Sequence, residues 1–467
     1  MVVGGYCKQC LEKQRQLDRL TEENARLRAR LRYQERNRRE EGPFGSSTPS
    51  SKIPIKANTK LSLEDRQARR GGARRGHVGH GRRTAQESEA DQVVTLEATE
   101  RTCPRCGVEL EERDFIPRTV IEIPPPRTRT ILYRLGARRC PRCRRHFRAH
   151  APAGVLPRLL LGNQLLAHLP VQHYLFGVPL GRLEAQTSIG YGTLVGALHR
   201  LARLFAGVPE QLVLEYRAAP VKHADETGWR TDGRNGYVWL FATTTLSIFR
   251  LRSTRSASVV RDVLGTDPLP GVLVVDRYHG YNKAPVALEY CYAHLLREVK
   301  DCGREFEDDA EVQRFVDTFA PLLAAAMTLR RIATDDDDFH RQAGALKQQI
   351  LDAVDAPAQH AAIHRLQGIF RDHPERLYHW AADRSVPAEN NLAERELRPL
   401  VIARKVSFGS QSDAGARTRE ILMTTLVTLR RRHSDSYAER FKAALDRLAA
   451  DPSTDPYHLL FHNHSPP

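Results

Sequence analysis

The sequence predicts a multidomain α+β protein, and three observations support this fold class. Residues 221–280 contain three β-runs, a short helix and a fourth β-run, whereas residues 304–383 have a helical pattern almost throughout. Two CxxC pairs precede these segments, and a heptad-like pattern opens the chain. At 467 residues, the chain is long enough for two to four domains with a substantial core.

The composition predicts a nucleic-acid partner. The chain carries 72 Lys and Arg against 56 Asp and Glu, a net charge of +16, and its pI is near 9.7. Aromatic residues make up only 7%, which argues against base stacking as the main binding mode. No apolar run approaches a membrane span, and the N-terminus lacks a signal-peptide core, so we expect a soluble cytoplasmic protein without a membrane partner.

Residues 10–34 carry a heptad pattern that is convincingly apolar only in its middle. Asn24 occupies a core position, where this residue type favours a parallel dimer in register. We therefore expect a short coiled coil that joins a homodimer or a higher oligomer. A single solvated helix is the alternative, because about three heptads are marginal alone. Cys7 and Cys10 form a lone CxxC pair before it, which is a weak metal signal.

Residues 42–60 are rich in Gly, Ser, Pro and Thr and are predicted to be a linker. Residues 66–86 follow with seven arginines and no acid, and their glycines disfavour a helix. A solvated charge run is the usual interpretation of such a tract, but the net charge favours a basic strap that contacts DNA. The arginines expected to bind DNA are Arg69, Arg70, Arg74, Arg75, Arg82 and Arg83.

Two CxxC turns predict a structural zinc site. Cys103 and Cys106 are separated from Cys140 and Cys143 by 33 residues, and the four thiolates match the ligand set of tetrahedral Zn²⁺. A β-like run between the two turns suits a zinc ribbon. A catalytic zinc is not expected, because four cysteines leave no open coordination position. The cysteine pattern also indicates a reducing compartment.

Residues 156–209 are predicted to be helical, with Pro170 splitting the first helix. A second helix covers residues 179–187, and a third covers residues 193–206 with an apolar face. This arrangement is compatible with a helix-turn-helix whose third helix enters the major groove of DNA. A plain helical bundle explains it equally well.

The β-runs cover residues 221–230, 237–245, 246–252 and 271–275, with a turn at residues 231–236 and a helix at residues 256–264. Asp225 lies within the first run and Asp276 ends the fourth. A carboxylate in a buried strand needs a partner, and Mg²⁺ or Mn²⁺ would supply one. The alternative is that Asp225 caps a turn and Asp276 caps the following helix.

Residues 287–302 begin as a strand and become a helix that carries His294 and Arg297. Further on, the acidic run at residues 335–338 is not expected to bind metal, because adjacent acids on a loop point in different directions. In residues 387–405, Asn391, Glu394 and Arg398 share one helical face, so Glu394 can complete a site with the two aspartates. A surface pair between Glu394 and Arg398 is the alternative. The basic residues expected to face DNA here are Arg395, Arg398, Arg404 and Lys405.

Several motifs in combination resemble the DDE transposases of the insertion sequence 66 family. They are DET after a strand, DRYHGY after a buried strand, YAHLLRE, and ENNLAERELRPLVIARK. The coiled-coil start, FGSSTPSSK, RRGHVGHG, the double-CxxC segment and the tail SYAERFKAALDRLAADPSTDPYHLL follow in that family's order. The resemblance therefore covers nearly the whole chain, although DET alone would be a weak signal.

The resemblance implies a ribonuclease-H-like catalytic core with Asp225, Asp276 and Glu394 as the catalytic triad. The triad would hold two Mg²⁺ (or Mn²⁺) ions, with Asp225 bridging both. Residues 304–383 would be a helical insertion, which explains the 117 residues from 277 to 393 that separate the second and third acids. His294 and Arg297 are further catalytic candidates that could stabilise the scissile phosphate. Arg277 departs from the family, where a small residue is more usual beside the second Asp.

The expected domains follow the chain. They are an N-terminal coiled coil (1–41), a flexible linker and basic strap (42–86), a zinc ribbon (87–152), a helical domain (153–215), the first part of the core (216–303), the helical insertion (304–383), the core helix with the catalytic Glu (384–432) and a helical tail (433–467).

We therefore expect a transposase that binds the ends of an insertion sequence and catalyses Mg²⁺-dependent DNA strand cleavage and strand transfer. Its partners would be double-stranded end and target DNA, with accessory proteins of the same element, in a bacterial cytoplasm and on the nucleoid. One alternative is a non-catalytic, zinc-containing DNA-binding regulator derived from a transposase. Another is a nuclease that cuts RNA–DNA hybrids or junctions and joins nothing.

Overall fold

The computed structural model describes residues 159–462 continuously. It also describes residues 154–157, 141–148, 128–139, 104–109, 93–95 and 86–89, and scattered positions between residues 13 and 28. The chain divides into two units, Pro54–Arg129 and the remainder. The larger unit contains a five-stranded sheet and the helices that pack around it.

The strands form one small and one large sheet. The small sheet pairs β1 (Ala137–Arg139) with β2 (His146–Arg148), and the large sheet contains β3 (Val221–Thr231), β4 (Arg234–Ala242), β5 (Ser247–Arg252), β6 (Val272–Val275) and β7 (Ala287–Tyr290). The large sheet has the order β5-β4-β3-β6-β7. β3, β4 and β5 are antiparallel, whereas β6 and β7 continue the sheet in parallel from β3. The predicted α+β class is confirmed.

The helices of the larger unit follow in chain order. They are α1 (Asn163–Pro170), α2 (Leu180–Thr187), α3 (Tyr191–Leu204), α4 (Val208–Ala218), α5 (Ala257–Leu264), α6 (Tyr292–Glu305), α7 (Ala310–Ile332), α8 (Asp336–Asp355), α9 (Ala361–Asp372), α10 (His379–Ala382), α11 (Asn391–Ser407), α12 (Asp413–Arg432), α13 (Tyr437–Ala450) and α14 (Pro456–Phe461).

A two-residue turn closes the β3–β4 hairpin. Asp232 and Gly233 have φ values of 51° and 71°, which suits the twist of paired strands. The second pair predicted for this turn, Asn235 and Gly236, lies inside β4 instead. A Cβ on Gly236 would lie 2.9 Å from the Arg252 carbonyl oxygen, so glycine there permits close strand approach.

Helix α12 covers the outer edge of the sheet at β5. Residues 418–429 of this helix are all buried. Side chains four residues apart on α12 accept hydrogen bonds from backbone N–H groups two residues apart on β5, because four helical residues and two strand residues both span about 6 to 7 Å. The bonds are Leu251 N to Glu420 Oε2 at 3.0 Å, Phe249 N to Thr424 Oγ1 at 3.0 Å and Ser247 N to Thr428 Oγ1 at 3.1 Å. These bonds satisfy backbone N–H groups at the outer edge of β5 that would otherwise lack a strand partner.

The helices before β3 agree with the sequence-based prediction. α1 ends at Pro170 and a π-helical segment, Val171–Leu175, follows. The apolar face of α3 is buried, as predicted, and His199 Nδ1 lies 2.6 Å from Thr418 Oγ1 of α12. The third helix therefore packs into the same core as the sheet. A helix-turn-helix function for these helices stays a prediction.

Helices α7 to α10 lie in the segment between α6 and α11, as expected for residues 304–383. The acidic run that begins at Asp335 was predicted on a loop, but its last three acids form the first turn of α8. Asp335 Oδ1 accepts a hydrogen bond from Asp338 N at 2.8 Å and so caps the helix. Acids are favoured in a first turn by the helix dipole, which explains the run without a metal.

The N-terminal predictions are tested only in part. The described positions between residues 13 and 28 are helical, and Leu17, Leu20 and Leu27 are exposed. This agrees with a helix, and the coiled coil itself stays a prediction. Cys7, Cys10 and residues 42–60 lie outside the described residues. Among the helices of the described residues, none is long and apolar enough to cross a membrane.

Candidate active site

Asp225 and Asp276 lie side by side on neighbouring parallel strands. β3 and β6 pair in parallel register as far as His223 and Val274. Each aspartate is two residues further along its own chain, where β6 has just ended and β3 continues. Because parallel strands lie about 4.8 Å apart, this register brings the two carboxylates to one edge of the sheet.

The local backbone engages one oxygen of each aspartate. Asp225 Oδ1 accepts from Glu226 N at 2.8 Å, and Asp276 Oδ1 accepts from Tyr278 N at 2.9 Å. The second bond precedes the short 3₁₀ helix His279–Tyr281, whose N-cap is Tyr278 and not Asp276, so the capping role considered for Asp276 is not the one observed. Each carboxylate still has a second oxygen available for another ligand.

Asn390 fixes the start of the helix that carries Glu394. Its side-chain amide donates to the Ala224 carbonyl at 2.7 Å, and its Oδ1 lies 2.9 Å from His223 Nδ1. Its backbone N–H donates to Cys291 Sγ at 3.1 Å. These bonds hold the residue that immediately precedes α11 against β3 beside Asp225. Glu394 follows in the first turn of α11, as its helical spacing predicted.

The three acids interact electrostatically. Burial and the neighbouring charges of Glu226, Asp276 and Glu394 raise the pKa of Asp225 well above its ordinary value. Glu394 Oε1 is buried and, within residues 159–462, has no hydrogen-bond partner, so the alternative pairing with Arg398 does not satisfy it. Within the described part of the chain, no three His, Cys, Asp or Glu side chains converge closely enough to hold a metal ion as they stand.

Sequence reasoning missed a buried cluster next to Asp225. Glu226 follows it on β3 and is bound by Arg255 Nε at 2.7 Å and by the Tyr281 hydroxyl at 2.5 Å. Burial and the charge of Asp276 raise the pKa of Glu226 to about 7, although Arg255 opposes the shift. The DET motif contained the signal, since its second acid follows the first directly in a buried strand.

His294 and Arg297 lie on α6, which begins beside the proposed site. Cys291 precedes this helix and contacts Asn390. His294 Nδ1 is buried and, within residues 159–462, has no hydrogen-bond partner. The structure thus brings His294 within one helical turn of the contact that fixes α11. A role for either residue in the reaction stays a prediction.

The basic residues predicted on α11 differ in their surroundings. Arg395, Arg398 and Lys405 are exposed, whereas Arg404 is half-buried. Arg404 Nη1 donates to Gly228 O and lies 3.3 Å from Thr227 Oγ1, so it ties α11 to β3. The arginines of the basic strap lie outside the described residues, namely Arg69, Arg70, Arg74, Arg75, Arg82 and Arg83.

The zinc prediction is not tested by the structure. Cys103 and Cys140 lie outside the described residues. Cys106 and Cys143 are both exposed, each in a turn. Exposed thiols in CxxC turns suit a metal site, but the four-cysteine site stays a prediction.

A comparison with protein families decides the class of this chain. The model of the family described as "Transposase IS66 family" matches residues 158–418, more than half of the chain. The chain belongs to this family. The family expected from the sequence motifs is thus confirmed, and the match includes Asp225, Asp276 and Glu394. A transposase family indicates a protein that processes DNA.

Two curated proteins of Sinorhizobium fredii are similar to this transposase-family chain. The protein y4jD is 24% identical over 385 residues, which cover 74% of each chain. The protein y4qI is 25% identical over 330 residues, which cover 60% of this chain and 58% of that protein. Both are named as uncharacterized proteins, so the similarity assigns no activity.

Proposed function

We propose that this chain is a DDE transposase that binds the ends of an insertion sequence and catalyses Mg²⁺-dependent cleavage and strand transfer of DNA. One observation carries the proposal. Asp225 interacts with Asp276 and Glu394 beside the end of β6, and within residues 159–462 the buried Glu394 Oε1 has no hydrogen-bond partner. Buried acids that repel one another in this way would be balanced by a cation.

The proposal takes the sheet and its helices as a ribonuclease-H-like core. In support, three antiparallel strands are followed by helix α5 and the parallel strand β6, and Asp225 lies on the central strand β3. Helices α7 to α10 would then be an insertion between the second and third acids. This order agrees with the expectation from family resemblance.

The donor set fits Mg²⁺ or Mn²⁺, which prefer oxygen ligands. The free carboxylate oxygens of Asp225 and Asp276 and the unpartnered Glu394 Oε1 would hold two such ions, after side-chain rotation on an otherwise fixed backbone. When bound, the ions would make water, or a DNA 3′-OH, a better nucleophile and neutralise charge on the phosphoryl group.

The other residues of the site would orient the acids and the DNA. Asn390 sets the position of Glu394 relative to Asp225, because it bonds to β3 on one side and immediately precedes α11 on the other. His294 and Arg297 would bind the scissile phosphate from α6, with the unpartnered His294 Nδ1 available as a donor.

DNA would be held by basic residues outside the acid cluster. Arg395, Arg398 and Lys405 are exposed on α11 and would contact phosphates, and the basic strap and a four-cysteine zinc ribbon would also bind DNA. An N-terminal coiled coil would join two chains, as pairing of two transposon ends requires. Accessory proteins of the same element complete the proposed set of partners.

The proposal is tested by cleavage and strand transfer on end-containing DNA, with Glu394→Gln compared against Glu396→Gln. Glu396 lies on the same helix, but it pairs with Arg431 at 3.1 Å and is therefore a matched control. We expect Glu394→Gln to bind DNA normally and to lose cleavage by at least about 10²-fold, a loss typical of removing one stabilising group from a charged transition state. Glu396→Gln should cleave like the wild type.

Other outcomes distinguish the alternatives. DNA binding without cleavage by the wild type, in Mg²⁺ and in Mn²⁺, would favour a non-catalytic regulator. Cleavage without strand transfer would favour a nuclease. Full cleavage by Glu394→Gln would exclude Glu394 as the third ligand.

A further inference from the structure

Helix α11 exposes one face along its whole length. Its exposed residues recur every three or four positions and therefore form a single stripe, which we call the α11 stripe: Arg395, Arg398, Ile402, Lys405 and Val406. The first part of the stripe is basic, and the end is partly apolar. Glu394 borders the beginning of the stripe, so the stripe is continuous with the proposed catalytic site.

Phe408 lies at the end of the α11 stripe in an unusual conformation. It ends α11 with φ 58° and ψ 7°, in the left-handed region, and its side chain is 74% exposed. Glycine and asparagine adopt this conformation most easily, whereas a bulky side chain there is a genuine outlier. Phe408 therefore combines backbone strain with an exposed aromatic ring, and neither feature stabilises the fold.

The backbone around Phe408 is held firmly. Gly409 has φ 123°, and a Cβ there would lie 2.1 Å from the Arg230 carbonyl oxygen. Ser410 N donates to that carbonyl at 2.9 Å, and Trp229 Nε1 donates to Ser410 Oγ at 3.1 Å. The turn is thus bonded to β3, and the ring projects from a fixed base.

We propose that Phe408, together with Ile402 and Val406, contacts the bases of the DNA substrate as a wedge or a stacking platform. The proposal rests on the transposase function above. Charge complementarity favours DNA as the occupant, because the same stripe carries Arg395, Arg398 and Lys405. Apolar side chains that insert between base steps unstack them and kink the duplex.

The helix geometry gives the position of this contact. Phe408 lies fourteen positions after Glu394, and at 1.5 Å rise per residue this is about 21 Å along the axis of α11. For a duplex that follows the helix axis, this length corresponds to about six base pairs. The distortion should therefore lie about half a helical turn of DNA from the cleaved phosphate.

The test uses variants that change the Phe408 ring without destabilising the fold. Phe408→Gly removes the ring and relieves the strained φ, so the full-length protein should melt at the same temperature or higher. Phe408→Trp keeps an aromatic ring. Phe176→Ala is the matched control, because Phe176 is also exposed, at 58%, but has an ordinary φ of −102°.

Two readouts are measured on end-containing DNA: permanganate reactivity of thymines, and cleavage. We expect wild type, Phe408→Trp and Phe176→Ala to give a reactive thymine near the predicted step. Phe408→Gly should lose this reactivity and cleave intact DNA about tenfold more slowly. An abasic site at that step lowers the cost of unstacking and should restore its cleavage.

Unchanged reactivity and cleavage in Phe408→Gly would overturn the proposal. A change in oligomeric state with unchanged reactivity would also overturn it, since the surface would then bind a second copy. The permanganate readout requires only DNA binding. It therefore reports on Phe408 even if Glu394→Gln shows that the proposed catalytic site is wrong.

Discussion

Buried acids at two places in the large sheet, beside β5 and where β6 ends next to β3, have opposite electrostatic surroundings. At the β5 edge, Glu420 is only 1% exposed and receives donors at both oxygens from the basic residues Arg250, Arg252 and Arg417. Where β6 ends beside β3, Asp225 interacts with other acids, and within residues 159–462 Glu394 Oε1 has no hydrogen-bond partner. Three arginines balance Glu420, whereas in the second cluster Arg255 pairs with Glu226 and the charges of Asp276 and Glu394 still act on Asp225.

This difference separates a structural acid from a functional candidate. Burial alone does not mark a site, because Glu420 is buried more completely than either Asp225 or Glu394. The informative feature is a buried acid, Asp225, whose pKa is raised by burial and by the charges of neighbouring acids. Such an arrangement costs stability in the isolated protein, so a ligand is the natural reason for it.

The largest expected effect is a loss of stability when Glu420, the acid that arginines balance at the β5 edge, is replaced. Glu420→Gln removes the charge that Arg250 and Arg252 share, so Arg250 retains the exposed Glu210 and Arg252 loses this carboxylate. We expect the free energy of unfolding to fall by about 3 kcal/mol, as for other broken buried pairs. Urea denaturation followed by circular dichroism measures this loss.

Arg417→Ala provides the matched control within the same network. Its side chain is 52% exposed and pairs with Glu420 from the surface. We expect its loss to cost less than about 1 kcal/mol. Equal losses in the two variants would show that burial does not decide the strength of this network.

Much of the fold was predictable from the sequence, because local patterns determined it. The apolar run of β6, the Asp232-Gly233 turn and the helical spacing of Glu394 all depend on neighbours in the chain. The edge bonds between α12 and β5 were not predictable, since Glu420 and Leu251 are far apart in sequence. The placement of Asn235 and Gly236 inside β4 was not predictable either, because Gly236 approaches the Arg252 carbonyl of β5 closely.

The candidate site was predictable in its acids but not in their surroundings. Asp225 and Asp276 stood out because they interrupt or end apolar strands. The role of Asn390 depends on tertiary contacts with His223 and Ala224, which no local pattern contains. Arg404 resembled the other basic residues of its helix, but its bond to Gly228 turns it toward the sheet.

A smaller effect, a gain of stability, is expected when Asp225 in the acid cluster is replaced. Asp225→Asn removes one of the repelling charges, so in EDTA at pH 8 we expect stabilisation on the order of 1 kcal/mol. The pKa of Asp225 is raised in the folded state, so its stability penalty grows as pH rises above the unfolded value of about 4. The gain should therefore disappear as pH falls toward 4.

Mg²⁺ should reverse the difference in stability between Asp225→Asn and the wild type. If the acids hold the ion, then Mg²⁺ raises the melting temperature of the wild type more than that of Asp225→Asn. Thermal unfolding at pH 4 and pH 8, with EDTA or Mg²⁺, measures both effects. A destabilised Asp225→Asn in EDTA at pH 8 would show that repulsion among the acids does not control the stability of this edge.

The smallest effect concerns the acidic run at the start of α8. Asp335→Ala removes a cap whose carboxylate accepts from Asp338 N, and should cost about 1 kcal/mol of stability. It should leave Mn²⁺ binding unchanged in calorimetric titration, because both oxygens of Asp335 are already engaged, by Asp338 N and by the Thr334 hydroxyl. Asp225→Asn should weaken Mn²⁺ binding in the same titration. Loss of a bound ion in Asp335→Ala would instead mean that adjacent acids suffice for a metal site, and the contrast between balanced and unbalanced carboxylates would no longer identify the active site.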